Sequence, residues 1–348
     1  MKIRHIIKIV NNYEKLNLFQ SKNYYKTLIK KEIFLKYKYT LEIIEKFSKL
    51  FPFQEFVEFL LHSQVNRPLS IRFNTLRKST KDIFFVLIKK KIKIFFLKNL
   101  YNLVGIVKQT KTKICAIPEY LSGLYTIQSI SSFFSVICMN VKKNEKILDL
   151  AAAPGSKTTL ISQIMNNTGI VVANDINFSR IKSLIGNIHR LGVKNTVIIN
   201  YNGVILNKYI KGFDKVLIDA PCTGTGIMSH DNTIKISKIK AKIMTVTRLQ
   251  KKLLLSAIDM CNQKSVNGGT ILYSTCSILV EENECVIEYA LNKKKVEILE
   301  THLECGMPGY VNFDKNRFNK DMSKCVRFFP HIHNTDGFFI CKLKKLRN

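Results

Sequence analysis

Glu145 to Lys157 read EKILDLAAAPGSK: a short apolar run, an aspartate, a turn of small residues with a proline, then the first polar positions of a helical pattern in SKTTLISQIM. A run of this length closed by small residues is a strand, and a strand, tight turn and helix in that order is the opening unit of an α/β sheet. The unit repeats downstream. TGIVVAND (168–175) is strand-like and FSRIKSLIGNIHRLG (178–192) helical; NTVIIN (195–200) and FDKVLIDA (213–220) are further strands. TRLQKKLLLSAIDMC (247–261) is a long helix, GGTILYSTCS (268–277) a strand and VEENECVIEYALNKK (280–294) a helix. Apolar strands separated by helices predict a mainly parallel sheet covered on both faces, a Rossmann-like α/β architecture. Ligands of such sheets bind beyond the carboxyl ends of the strands. That rule selects Leu150–Lys157, Asn174–Asp175, Asn200–Gly203, Asp219–Gly226 and Ser274–Ser277 as the places to look for chemistry.

Upstream the pattern differs. LEIIEKFSKLF and QEFVEFLLHSQ space apolar residues by three and four, so residues 1–63 are expected to be helical. In RPLSIRFNTL, Leu69, Ile71 and Phe73 alternate with Ser70, Arg72 and Asn74, which is the period of a strand; a helix-like KDIFFVLIKKKI and further short strands follow. Residues 64–140 therefore read as a small α/β module, and 141–348 as the main α/β domain.

Composition narrows the partners. The 348 residues carry 56 Lys+Arg against 25 Asp+Glu, a net charge of +31, with 46% hydrophobic residues and no Trp. This is a folded, very basic chain, and lysines that neutralise phosphates gain affinity by releasing counterions, so a polyanion is the indicated partner. The richness in Ile, Asn and Lys also matches an AT-rich genome, so charge alone is a weak pointer. It is densest early, with 25 basic and 8 acidic residues in 1–140, as expected of a region that holds a polyanion. The most apolar segment, Ile83 to Val107, is broken by Lys89, Lys90, Lys91, Lys93 and Lys98, which argues against a membrane span; the N-terminus lacks the apolar block and cleavage site of a secretory signal. Nine cysteines form no CxxC pair and no regular framework, so free thiols in a reducing compartment are expected.

The first turn lacks the glycines of a phosphate-binding loop, having Ala151 and Ser156 where that loop needs Gly, and no GxGxxG is present. A helix start after a small-residue turn still favours an anionic or carboxylate-bearing ligand. Asp175, at the end of the second strand, has the spacing of a carboxylate that accepts both ribose hydroxyls of an adenosine. In DAPCTGTG (219–226) a proline fixes Cys222 at a strand end beside Asp219, and Cys276 ends the neighbouring strand in YSTCS, with Glu281 and Glu282 just beyond. A single thiol is ordinarily core; two at adjacent strand ends, over one edge, indicate chemistry. His331 and His333 form an HxH with no acidic or thiol partner in sequence, which reads as structural, and no metal is expected. Tyr125, Gln128 and Ser131, ahead of the first strand of the main domain, match a segment of a known family, named below, and that resemblance implies packing between the module and the domain, with RNA contact as the other role.

These blocks together resemble the S-adenosylmethionine-dependent RNA cytosine-5 methyltransferases of the Sun type. RFNTL, GLYTIQSISS, LDLAAAPGSKTT, ANDIN, DAPCTGTG, YSTCS and VEENE occur in the family's order and spacing from about Arg67 to Lys345. NIHRLGVKNT (187–196), DAPCTGTGIMSHD (219–231) and RFFPHIHNTDGFF (327–339) are similar to the nucleolar branch that acts on large-subunit ribosomal RNA. The resemblance implies S-adenosylmethionine as cofactor, held by Ala151, Ala152, Ala153, Pro154, Gly155, Ser156 and Lys157, with Asp175 at the ribose, Asn202 near the adenine and Asp219 beside cofactor and target base. It implies Cys276 as nucleophile and Cys222 as the thiol that assists release of the product. It further implies ribosomal RNA and pre-ribosomal particles as partners, a role in ribosome biogenesis, and a nuclear, nucleolar location. Two positions depart from the family: Ser156 replaces a glycine, which would cost affinity if that residue needs positive φ, and Asn202 replaces an aspartate. They are the sequence support for the alternative, a ribosome-assembly RNA-binding factor with little turnover.

Overall fold

The computed structural model describes residues 2–16, 19–97, 102–110, 112–265 and 269–346. Four helices come first: Lys2–Asn11, Lys22–Tyr37, Leu41–Leu50 and Phe53–His62. The third starts where the Thr40 side chain accepts a hydrogen bond from the Ile43 amide, an N-cap that satisfies one of the helix's free donors. Its apolar stripe, Ile43, Ile44, Phe47 and Leu50, is buried in a cluster that also takes in Ile234, Ile239, Ile243 and Phe329. The helical segment thus shares a core with the far end of the chain.

A four-stranded antiparallel sheet follows, with β1 (Ser70–Phe73), β2 (Lys93–Phe96), β3 (Val104–Gln109) and β4 (Tyr125–Ile127) in the order β2-β3-β1-β4. Ile71 and Phe73 face its own core with Ile83, Leu87 and Tyr125. The polar face of β1 would ordinarily be left in water, but Ser70, Arg72 and Asn74 are all buried. They are pressed against the main domain, where Arg72 donates to the Ser156 carbonyl (2.7 Å) and Thr159 Oγ1 (2.8 Å), and Asn74 to the Leu191 carbonyl (2.8 Å). Gln128, on the way out of β4, receives the Arg72 guanidinium at 2.8 Å. Arg190 closes the joint by donating to the Tyr120 carbonyl at 2.8 Å and lying 4.1 Å from the Tyr120 ring.

The main domain contributes β5 (Lys146–Asp149), β6 (Ile170–Asn174), β7 (Thr196–Ile199), β8 (Lys215–Asp219) and β9 (Thr270–Thr275), parallel neighbours in the order β9-β8-β5-β6-β7. Beyond them come β10 (Val296–Leu299), β11 (Met307–Pro308), the hairpin pair β12 (Asn312–Phe313) and β13 (Asn316–Arg317), β14 (Val326–Phe328) and β15 (Phe338–Lys345). β15 pairs antiparallel with β9, β10 and β14, extending the sheet to nine strands. Alternate residues serve opposite faces: Leu148, Val216, Ile218, Ile271 and Tyr273 pack on one side with the helix Ile239–Met260, while Ile147, Leu217 and Leu272 pack on the other with the helices Ile130–Cys138 and Ser156–Ile164. Fully burying one such side chain stabilises by roughly 1.5–3 kcal/mol, which is why these strands read as continuous apolar runs. Among the described residues, no helix is long and apolar enough to cross a membrane. His331 and His333 hold local structure: His331 Nε2 is 3.1 Å from Glu55, and His333 Nδ1 accepts the Phe329 amide.

Candidate active site

The carboxyl ends of β5, β6, β8 and β9 open on one cleft of about 450 Å³, within the range of small-molecule sites. Ala151, Ala153, Asp175, Asn202, Asp219, Cys222 and Cys276 stand on its wall, so seven of the residues singled out in the sequence meet there from five separate stretches. Ala152, Pro154, Gly155, Ser156 and Lys157 form the rear of the same turn.

That turn is held by its main chain. The Ala152 amide donates to the Asn174 carbonyl (2.7 Å) and the Gly155 amide to the Ala152 carbonyl (2.7 Å). Positive φ falls on Gly155 (φ 102), where a Cβ would also run into Leu184 at 2.7 Å, so glycine is required there. Ser156 is the first residue of the following helix and lies outside the positive-φ residues. The departure at 156 therefore carries no backbone strain. Asp175 is buried, with Oδ2 accepting the Ala153 amide at 3.1 Å and Oδ1 the Asn177 amide at 2.9 Å; Arg180 lies 3.5 Å away and also donates to the Ala153 carbonyl. Asn202 turns its Oδ1 back to the Val204 amide at 3.0 Å. Beneath the turn Asp149 is buried, and Oδ2 accepts the Thr158 hydroxyl at 2.7 Å while Oδ1 has no partner. Burial pushes its carboxyl up to about 7, against the pull of the Thr158 hydrogen bond.

Lys157 follows the turn as the second residue of the helix, and its side chain crosses to the other wall, where Nζ lies 2.6 Å from Asp219 Oδ2 and 5.4 Å from the centre of the Phe338 ring. Ser274 donates to the second Asp219 oxygen at 3.0 Å. Beside this pair the Cys222 and Cys276 sulfurs are 3.0 Å apart, as two free thiols. The hydrogen bond to Cys276, then burial, then nearby negative charge including Glu282, drive the Cys222 thiol well above its ordinary value. Packing explains the second glycine of the CTGTG run: the Gly226 amide donates to the Cys276 carbonyl at 2.8 Å, and its Cα side lies against Gly337 with no room for a Cβ.

A sequence profile described as 16S rRNA methyltransferase RsmB/F matches residues 136–344, more than half of the chain and the whole of this cleft. The chain belongs to this family. It is 43% identical over 329 residues to the human 28S rRNA (cytosine(4447)-C(5))-methyltransferase, covering 94% of this chain and 40% of that protein. It is 33% identical to the tRNA (cytosine(49)-C(5))-methyltransferase of Pyrococcus abyssi, covering 88% of this chain and 96% of that one. A solved structure described as a methyltransferase homolog protein from Pyrococcus horikoshii superposes with a TM-score of 0.80 at 30% identity, over 90% of this chain and 98% of that one. The chain spans about two-fifths of the human relative's length, and nearly all of the archaeal relative's.

Three features of the cleft carry no motif of their own in the sequence: the Lys157–Asp219 pair, the Ser274 support for it, and Arg72 behind the turn. The signal for Lys157 was present, since a lysine opening a helix one turn past a strand end is well placed to reach a neighbouring strand's aspartate. Nothing local marked Arg72, whose contacts with the main domain are 84 to 87 positions away in sequence.

Proposed function

We propose that this chain transfers a methyl group from S-adenosylmethionine to C5 of a cytosine in large-subunit ribosomal RNA. The observation that carries the reading is the pair of sulfurs at 3.0 Å beside the Lys157–Asp219 ion pair, at the floor of a cleft whose other wall suits an adenosine. The chain's greater identity to the rRNA enzyme than to the tRNA enzyme favours ribosomal RNA. The fit to the cofactor rests on the donor set. Small side chains at Ala151 and Ala153 leave the wall open, and the Asp175 carboxylate is clamped by two amides while keeping lone pairs for ribose hydroxyls. Asn202 and the turn 151–157 complete that side. When bound, the cofactor supplies an electrophilic sulfonium methyl.

Cytosine C5 is a poor nucleophile until a thiolate adds at C6, and Cys276, on the cleft wall at the end of β9, is the sulfur assigned that addition. Lys157 and Asp219 form a proton-bearing unit that stabilises charge developing at N3 of the base. Once Cys276 is bonded to C6, the hydrogen bond that most raises the Cys222 thiol is gone. Cys222 is then free to ionise and to take the C5 proton, after which Cys276 leaves. The target base must be single-stranded or flipped out, because a stacked ring exposes neither face. Residues 64–140, with the basic 1–63 helices, hold the RNA over the 141–348 domain, and the setting is the pre-ribosomal particle in the nucleolus.

Tritium transfer from methyl-labelled S-adenosylmethionine to ribosomal RNA tests this. Wild type labels cytosine C5 and Cys276→Ala falls at least about a thousandfold. Cys222→Ala accumulates a protein–RNA adduct that survives denaturing electrophoresis. An adduct that instead follows loss of Cys276 reverses the two thiols. Ser156, being helical, removes one support for an assembly factor with little turnover.

A further inference from the structure

Glu282 is fully buried in the short turn Val280–Glu282 and has no part in the chemistry above. All four donors to its carboxylate are neutral: the Thr223 amide (2.9 Å), the Thr223 hydroxyl, the Ser277 hydroxyl (2.7 Å) and the Gln250 side-chain amide (3.1 Å). Thr223 follows Cys222, and Ser277 follows Cys276. One carboxylate therefore grips the residue after each cysteine, across 59 positions of sequence on one side and five on the other. Its own main chain is anchored by the Tyr273 hydroxyl, which donates to the Glu282 carbonyl at 2.7 Å. Gln250 ties the same carboxylate to the Pro221 carbonyl at 2.8 Å, so the proline before Cys222 is held too. A buried carboxylate whose purpose was stability alone would have no reason to divide its bonds between the two cysteine loops, since any set of donors would satisfy it.

We propose that Glu282 is a positioning residue that sets the register of Cys222 against Cys276, acting through Thr223 and Ser277. The inference rests on the activity proposed above. The negative charge of Glu282 also helps keep the Cys222 thiol protonated, and so helps to assign the two sulfurs different tasks.

The test uses the full chain as wild type, Glu282→Gln, Ser277→Ala and Thr223→Val, each checked by thermal melting. The first readout needs no RNA: the rate at which diamide joins Cys222 to Cys276, followed by peptide mass. The second is kcat and KM for methyl transfer against pH. Glu282→Gln keeps the shape but loses the charge, so it is expected to lower kcat about tenfold and, compared at equal thiolate fraction, to slow pair formation several-fold, because small misplacements of reacting groups are costly. KM for S-adenosylmethionine stays within about twofold, since the turn 151–157 is untouched. The pH at which adduct release becomes fast moves down, because removing a neighbouring negative charge lowers the Cys222 thiol. Should Glu282→Gln fail to fold, Ser277→Ala and Thr223→Val, which each delete one hydroxyl donor and keep the charge, slow pair formation and lower kcat by smaller factors without the shift in pH. Wild-type rates of pair formation and wild-type kcat in the folded variants overturn the proposal. A wild type that forms the pair quickly yet labels no RNA refutes the activity, and the diamide rates then judge Glu282 by themselves.

Discussion

At the ends of β5 and β6 the cleft wall is made largely of main chain: the turn 151–157 is closed by amide-to-carbonyl bonds, and Asp175 is clamped by two amides. At the ends of β8 and β9 the wall is made of side chains, with Lys157, Asp219, Ser274, Cys222, Cys276 and Glu282 all bonded to one another or to the loops that carry them. Both walls stand on the same parallel sheet, yet they tolerate change differently. A wall of amides asks little of side chains beyond small size and one glycine, so Ser156 fits at the start of its helix without strain. A wall of interlocked side chains fails as a unit, because each loss strands a buried partner.

The comparison breaks most sharply at Lys157, which belongs to the first wall in sequence and to the second in space. Lys157→Met is expected to lower kcat about 10²–10³-fold while the dissociation constant for S-adenosylmethionine changes only a few-fold; a loss seen mainly in binding, by calorimetry, would return Lys157 to the first wall. Asp149, beneath the first wall, tests whether its burial is costly. Its raised carboxyl means that between about pH 4 and pH 7 the unfolded chain releases a proton that the folded chain keeps. Stability therefore falls as pH rises through that window, and levels off above it. Relative to Asp149→Asn, wild type is expected to lose roughly 2–4 kcal/mol across the window, read from urea midpoints, and a flat difference would refute the burial effect. Asp175→Asn keeps the shape but loses the charge and one amide-accepting oxygen, and weakens cofactor binding about tenfold with kcat at saturation little changed. Ser156→Gly, the smallest change, is expected to leave binding within about twofold and to lower the melting temperature slightly, since glycine costs roughly 0.5–1 kcal/mol within a helix.

Much of the fold was legible because parallel strands buried on both faces must be apolar throughout, and the helices between them must carry a stripe. The runs ILDL, IVVAND, VLIDA and ILYST announced their strands, and the rule for α/β sheets announced the cleft. The candidate residues of both walls were legible too, since strand ends are fixed once strands are. Two things were hidden. The polar face of β1 looked like a surface, and only its partner, the start of the helix at Ser156, makes it an interface. The antiparallel extension by β15 was hidden because its neighbour β9 is more than 60 residues away in sequence, and strand pairing at that distance leaves no local trace.

The succession of strands and helices, the turn after the first strand, the pair of strand-end cysteines and the membership of a methyltransferase family follow from the sequence, because each depends on residues within a few positions or on the spacing of motifs. Which side chain faces which was decided by the tertiary structure alone. Lys157 reaches Asp219 across 62 positions and Cys222 meets Cys276 across 54. Glu282 joins both cysteine loops because β8 and β9 lie side by side. Hydrogen bonds and thiol chemistry act over about 3 Å, a distance that only packing can bring about between residues so far apart along the chain.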